Sequence, residues 1–141
     1  MKKYLTVPAL IILMSFLHMS VNAQTTSDEV QIRSTIQNYF DGSHTDNPEL
    51  LKAAFHPDAT LKYIKEGKYQ MIPIQKYFTF FTNSKKREFE EKIFYVDQYG
   101  NAANVKLSAR YATYQFVDYM NLLKTEEGWK IVSKISHCEE F

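Results

Sequence analysis

The chain has 141 residues, 45% of them hydrophobic and 23% charged, which is enough for one ordinary globular domain with a short appendage and too little for a multidomain machine. Lys and Arg number 17 against 16 Asp and Glu, a net charge of +1, so there is no field to gather nucleic acid or an anionic membrane. Ten Tyr, ten Phe and one Trp stand against four Gly and four Pro, a composition that excludes a disordered chain and requires rings that pack or line a cavity.

Met1 to Ala23 opens with Lys2 and Lys3, continues through an apolar stretch from Leu5 to Leu17, and ends with Val21 and Ala23 as small residues before a cut. This is the pattern of a cleavable export signal. The apolar run is interrupted by Pro8 and ends before His18 and Ser20, short of the ~20 apolar residues that span a bilayer, so no membrane span is expected after processing. Cleavage removes Lys2 and Lys3 and turns the net charge slightly negative. The expected product is a periplasmic or secreted domain over residues 24–141. Cys138 is the only cysteine, so this domain forms no internal disulfide and its core alone must hold it.

Thr26 and Glu29 make a capping box ahead of Ile32, Ile36, Tyr39 and Phe40 on one helical face, with an end expected at Gly42. A second helix is expected from Asn47 as cap and Pro48 as first residue, burying Leu50, Leu51, Ala54 and Phe55, and stopping at His56 before Pro57. Ala59 to Tyr63 and Tyr69 to Ile72 read as short strands around Glu66 and Gly67. Behind Pro73, the residues Ile74, Tyr77, Phe78 and Phe81 return to helical spacing. From Arg87 the period becomes two, with strands over Phe89–Asp97, Ala102–Ala112, Phe116–Lys124 and Trp129–Ser136. Runs of helices followed by runs of strands argue an α+β domain, an antiparallel sheet covered by helices on one face. The sheet face carrying Val105, Leu107 and Tyr111 then needs helices or a partner to cover it, and with helices on only one face a homodimer through the other is expected.

Ala54, Phe55, His56, Pro57, Asp58, Ala59, the turn Gly100, Asn101, Ala102, the run Phe116, Val117, Asp118, Tyr119 and the closing Gly128, Trp129, Lys130, Ile131, Val132, Ser133, Lys134 together resemble the putative lumazine-binding family of the nuclear transport factor 2-like superfamily, often small exported bacterial proteins. That resemblance covers about all of the processed chain. It implies a cone-shaped domain with three N-terminal helices packed on a curved antiparallel sheet, and through the family's name a pteridine-like ligand. Similar architectures include ketosteroid isomerase and polyketide cyclases, which use an Asp or a His inside the cone as general base.

Two residues are candidate bases. Alternation puts Asp118 on the face of Phe116, Met120 and Leu122, where partial desolvation raises a carboxyl toward the working range of a base; the alternative is a structural acceptor of a backbone or tyrosine hydrogen bond. His56, with Asp58 across Pro57, is either a base at a pocket mouth or a turn former. Tyr39, Tyr63, Tyr77, Tyr111 and Tyr119, with Phe78, Phe81 and Trp129 as walls, have the composition of a small-molecule site. Their other use is in a core or a dimer interface. His44, His56, Asp58 and His137 lack the spacing of metal ligands, and neither a phosphate loop nor a serine nucleophile motif is present, so no metal or cofactor is expected. The sequence thus points to an exported domain that binds a small, largely apolar or aromatic molecule, with an isomerase or cyclase using Asp118 or His56, or a protein-interaction domain with a filled cone, as alternatives.

Overall fold

The computed structural model describes residues 27–141; the export signal expected over residues 1–23 lies outside them. Helix α1 covers 27–44, followed by α2 (Pro48–Ala54), β1 (Phe55–Lys65), β2 (Lys68–Pro73), α3 (Ile74–Phe78), β3 (Glu90–Tyr99), β4 (Ala102–Arg110), β5 (Tyr114–Thr125) and β6 (Gly128–Glu140). The six strands form one curved sheet in the order β2-β1-β6-β5-β4-β3. Every pair is antiparallel except β1 with β6, which run parallel. Strand and helix spacing imply the meander of β3 to β6, but the parallel seam arises only because the chain's last strand returns beside its first. No helix among the described residues is long and apolar enough to cross a membrane.

Helix α1 buries Ile32, Ile36, Tyr39 and Phe40 in a core shared with Val105, Leu107, Met120, Leu122 and Ile131. Val105 and Leu107 therefore belong to the face that the helices cover. The outer face carries Phe94, Tyr119 and Ile135, all substantially exposed, with Tyr119 paired to Ile135 across β5 and β6. One end of α1 is tied to the last hairpin: Asp28 Oδ1 accepts from Lys124 Nζ at 2.7 Å and from the Trp129 indole at 3.2 Å, while Thr35 Oγ1 donates to the Trp129 carbonyl at 2.9 Å.

The boundaries differ from the sequence expectation where packing overrides local signals. Helix α1 runs past Gly42, because that glycine is not a left-handed terminator. A Cβ there would lie 2.8 Å from Leu51 Cγ, so Gly42 is the point where α2 presses against α1. The left-handed residue is Asp46, at φ 57°. Helix α2 is capped by Asn47, whose side chain accepts the Glu49 amide, and ends at Ala54 because Phe55 is already extended and paired with Ile131. Helix α3 is a short turn that stops at Phe78, and Phe80 and Phe81 come after it through tight i→i−3 bonds to Tyr77 and Phe78.

The sheet carries register shifts between Ile93 and Tyr95 in β3 and between Asn121 and Leu122 in β5 against β6. In the second, Asn121 pairs with Ser133 and Leu122 with Ile131, so Val132 is the extra residue. Such bulges bend a strand and re-aim the side chains beyond them.

Candidate functional site

The Val132 bulge decides which side chains reach the interior. Before it, Trp129 and Ile131 point inward and are buried. Uninterrupted alternation would continue that face through Ser133, Ile135 and His137. Instead Lys134, Ser136 and Cys138 turn inward, and Ile135 and His137 are exposed.

The inward residues border a cavity of about 330 Å³ between the helices and the sheet. At its floor lies a buried polar cluster. Asp118 is 0% exposed and Lys134 3% exposed, and Lys134 Nζ donates to Asp118 Oδ2 at 2.7 Å and to the Tyr39 hydroxyl at 2.6 Å. Tyr39 donates to Asp118 Oδ2 at 3.0 Å, and Ser136 Oγ donates to Asp118 Oδ1 at 2.6 Å. Both carboxylate oxygens are thus engaged, which is what a buried charge requires. The ammonium also lies 4.8 Å from the Tyr39 ring centre and 5.6 Å from that of Tyr77, a cation–π arrangement.

Protonation follows from these contacts. Burial alone would lower the pKa of Lys134, but the Asp118 charge, the electrostatic influence of Tyr77 and the hydrogen bond to Asp118 outweigh it, and the net direction is up. Tyr39 is held well above an ordinary tyrosine, first by burial and then by the Asp118 charge. Tyr111 is pushed up to about 12, mainly by burial. At neutral pH Lys134 is therefore an ammonium, and Tyr39 and Tyr111 are protonated phenols.

The walls are aromatic. Tyr63, Tyr77, Phe81 and Tyr111 border the cavity, as does Tyr39 at the floor. Tyr77 meets Phe81 edge-on at 5.1 Å, and Phe89 meets Tyr111 at 5.1 Å. Phe78 and Trp129, expected as walls, lie in the core instead: Phe78 packs on Phe55 at 6.0 Å, and Trp129 is held against Asp28 at the far end of the sheet. Asp118 sits behind Lys134 and does not line the cavity. His56 is away from it at the start of β1, where its Nδ1 accepts the Asp58 amide at 3.2 Å. Among the described residues no three His, Cys, Asp or Glu side chains gather where they would hold a metal ion.

Lys134, Ser136, Ser43 and Arg87 border the cavity without having been candidate site residues in the sequence. The first two are concealed by the bulge. Ser43 stands one helical turn beyond Tyr39 on α1, so its position follows from the same periodicity once Tyr39 is known to face inward. Arg87 is placed by the loop 79–89, which a single carboxylate organises. Asp46 Oδ2 accepts the amides of Thr82, Ser84 and Lys85 at 3.1, 3.1 and 3.4 Å, while Arg87 donates to Asp46 Oδ1 at 2.8 Å and to the Phe80 carbonyl at 2.9 Å. These contacts, led by the Thr82 amide, hold the Asp46 carboxyl down at about 2. The loop they fix carries Phe80, Phe81, Arg87 and Phe89 to the cavity.

The architecture has solved counterparts. An NTF2-like protein of unknown function from Shewanella baltica superposes with a TM-score of 0.75 at 27% identity, covering 82% of this chain and 97% of that one. One from Methylobacillus flagellatus, also of unknown function, gives 0.72 at 25%, covering 80% and 93%. The CaMKII hub of S. rosetta shares the fold alone, at 0.61 and 13% identity over 77% of this chain and 94% of that one. No curated protein matches the chain. The family model described as putative lumazine-binding matches residues 27–137, and with the fold and the aromatic cavity in place the chain belongs to that family, on an NTF2-like α+β fold.

Proposed function

We propose that the protein is an exported binding domain that holds one small, largely apolar or aromatic molecule in the cavity between α1 and the sheet. The observation that carries this reading is the cavity itself, about 330 Å³, walled by Tyr63, Tyr77, Phe81 and Tyr111 and floored by the buried Lys134 cluster. Apolar walls with a few fixed polar groups are the composition of small-molecule sites, and this volume lies at the small end of their range. Export rests on the segment Met1 to Ala23.

An isomerase or cyclase with Asp118 as base has less support. A base must come within hydrogen-bond reach of the proton it takes, and Asp118 is behind the ammonium with both oxygens occupied. His56 does not border the cavity.

The test is fluorescence titration with flavins and pteridines, and thermal shift with steroid-like compounds, on the parent and on Ala109→Phe. Ala109 borders the cavity from β4, so the added ring occupies ligand space. Saturable binding lost in Ala109→Phe is expected. Binding that survives the substitution would place the ligand elsewhere, and no binding by any compound class would count against the reading.

A further inference from the structure

The cavity lining has a charge bias. Lys134 and Arg87 are its only charged side chains among the described residues, and both are cations. Their counter-ions, Asp118 and Asp46, lie behind them and are themselves engaged, so each pair presents its positive end inward. An ammonium has three hydrogens to donate. Lys134 directs two of them to Asp118 and Tyr39, and among the described residues the third has no partner.

Ser43 supplies a second, independent observation. Its side chain is 6% exposed and borders the cavity, and its hydroxyl has no hydrogen-bond partner among the described residues. A helical serine commonly returns its hydroxyl to the carbonyl four residues back; Thr45, just past the end of α1, makes that bond to Asp41, and Ser43 does not. A buried hydroxyl left in this way costs free energy unless something in the cavity takes it. Ser43 lies one turn, ~6 Å along the axis, from Tyr39, whose hydroxyl meets Lys134, and all three border the cavity.

We infer that the ligand is a flat, conjugated ring compound bearing an anionic oxygen, a carboxylate or an enolate, which takes the third N–H of Lys134 while a second polar group on the ring meets the Ser43 hydroxyl. The inference rests on the reading of the cavity as a small-molecule site. A cationic ligand finds no carboxylate on the wall, and a neutral hydrocarbon leaves both handles unpaired. The protonated phenols add donors to the lining and no negative charge.

Calorimetric titration of the purified chain at pH 7 uses a matched series: 2-naphthoate, 2-naphthalenemethanol, 2-naphthylmethylammonium, 6-hydroxy-2-naphthoate, and the enolate of 2-hydroxy-1,4-naphthoquinone. At least one of the two anion classes is expected to bind about tenfold or more tighter than the neutral alcohol, since a bond to a charged group is worth more than a neutral one, and the ammonium to bind weakest. Preference for naphthoate assigns the carboxylate, and preference for the naphthoquinone assigns the enolate. The 6-hydroxyl is expected to add about fivefold over plain naphthoate, and Ser43→Ala to abolish that gain. Equal binding of anion, alcohol and ammonium would overturn the inference while leaving small-molecule binding intact. Absence of saturable binding across the series would overturn both. A 6-hydroxyl gain undiminished in Ser43→Ala would remove Ser43 from the site.

Discussion

Replacing Asp118 by Asn keeps the shape of the buried cluster and removes its negative charge. In the parent, Lys134 Nζ and the Tyr39 hydroxyl converge on Asp118 Oδ2 and Ser136 on Oδ1, all four side chains lying at or near the cavity floor. The variant leaves a buried ammonium with no counter-ion, and losing one partner of a buried pair costs about 3–5 kcal/mol. Against a total stability of about 5–15 kcal/mol for a domain, the urea midpoint should fall by roughly 2 M. Trp129, buried and bonded to Asp28, reports unfolding by its fluorescence. The pH dependence gives a second, sign-sensitive readout. In the parent Lys134 is raised above its ordinary 10.5 and Tyr39 above its ordinary 10.0. The native state thus holds protons that the unfolded state has released, and stability is present below about pH 10 and lost as pH rises through the folded values. In Asp118→Asn the Asp118 charge no longer offsets burial, the largest influence on Lys134, and the lysine pKa is lowered. The unfolded state then binds the extra proton, and stability rises with pH up to the ordinary lysine value. The double variant Asp118→Leu with Lys134→Met, which removes both charges, should recover much of the loss. An Asp118→Asn protein within about 1 kcal/mol of the parent, with the same alkaline profile, would refute the coupled-pair account.

Asp46→Ala should free the loop 79–89: hydrogen exchange at the Thr82, Ser84 and Lys85 amides should speed up while the sheet amides keep their protection, and equal protection in both proteins would contradict the latch. Because the Asp46 carboxyl is depressed from 3.8 to about 2, its contribution is present above about pH 4 and lost as pH falls toward 2, so an acid titration of the parent should lose a component that Asp46→Ala lacks. Sedimentation should detect a dimer at micromolar concentration that Tyr119→Lys weakens, since Tyr119 and Ile135 lie exposed together on the outer face; a concentration-independent monomer would count against it. The intact mass of the exported protein should begin at Gln24, and a product retaining Met1 to Ala23 would exclude processing there.

Much of the architecture was legible because it is written in local periodicity. The spacing of Ile32, Ile36, Tyr39 and Phe40 specifies a helix face in any surroundings, and the period-two run after Arg87 specifies strands, since each pattern buries one face only in its own conformation. Alternation within β5 likewise put Asp118 beside Phe116, Met120 and Leu122, and the resemblance in the closing strands named the family that the comparison found. What alternation cannot carry is a change of phase. The single extra residue at Val132 reverses every side chain after it, turning Lys134 inward and His137 outward, and nothing in the residue types of Lys130 to Ser136 announces it. Gly42 and Asp46 obey the same logic: the glycine serves the close approach of Leu51, and the left-handed turn falls to an aspartate whose carboxylate then gathers amides from nearly forty residues away. The charge of the cavity was also out of reach, because Lys134 becomes a buried donor only when Asp118, from another strand, and Tyr39, from the first helix, arrive within 3 Å of one another. Side chains from three separate elements meet there only once the sheet has closed on the helix, and no spacing along a single strand encodes that distance.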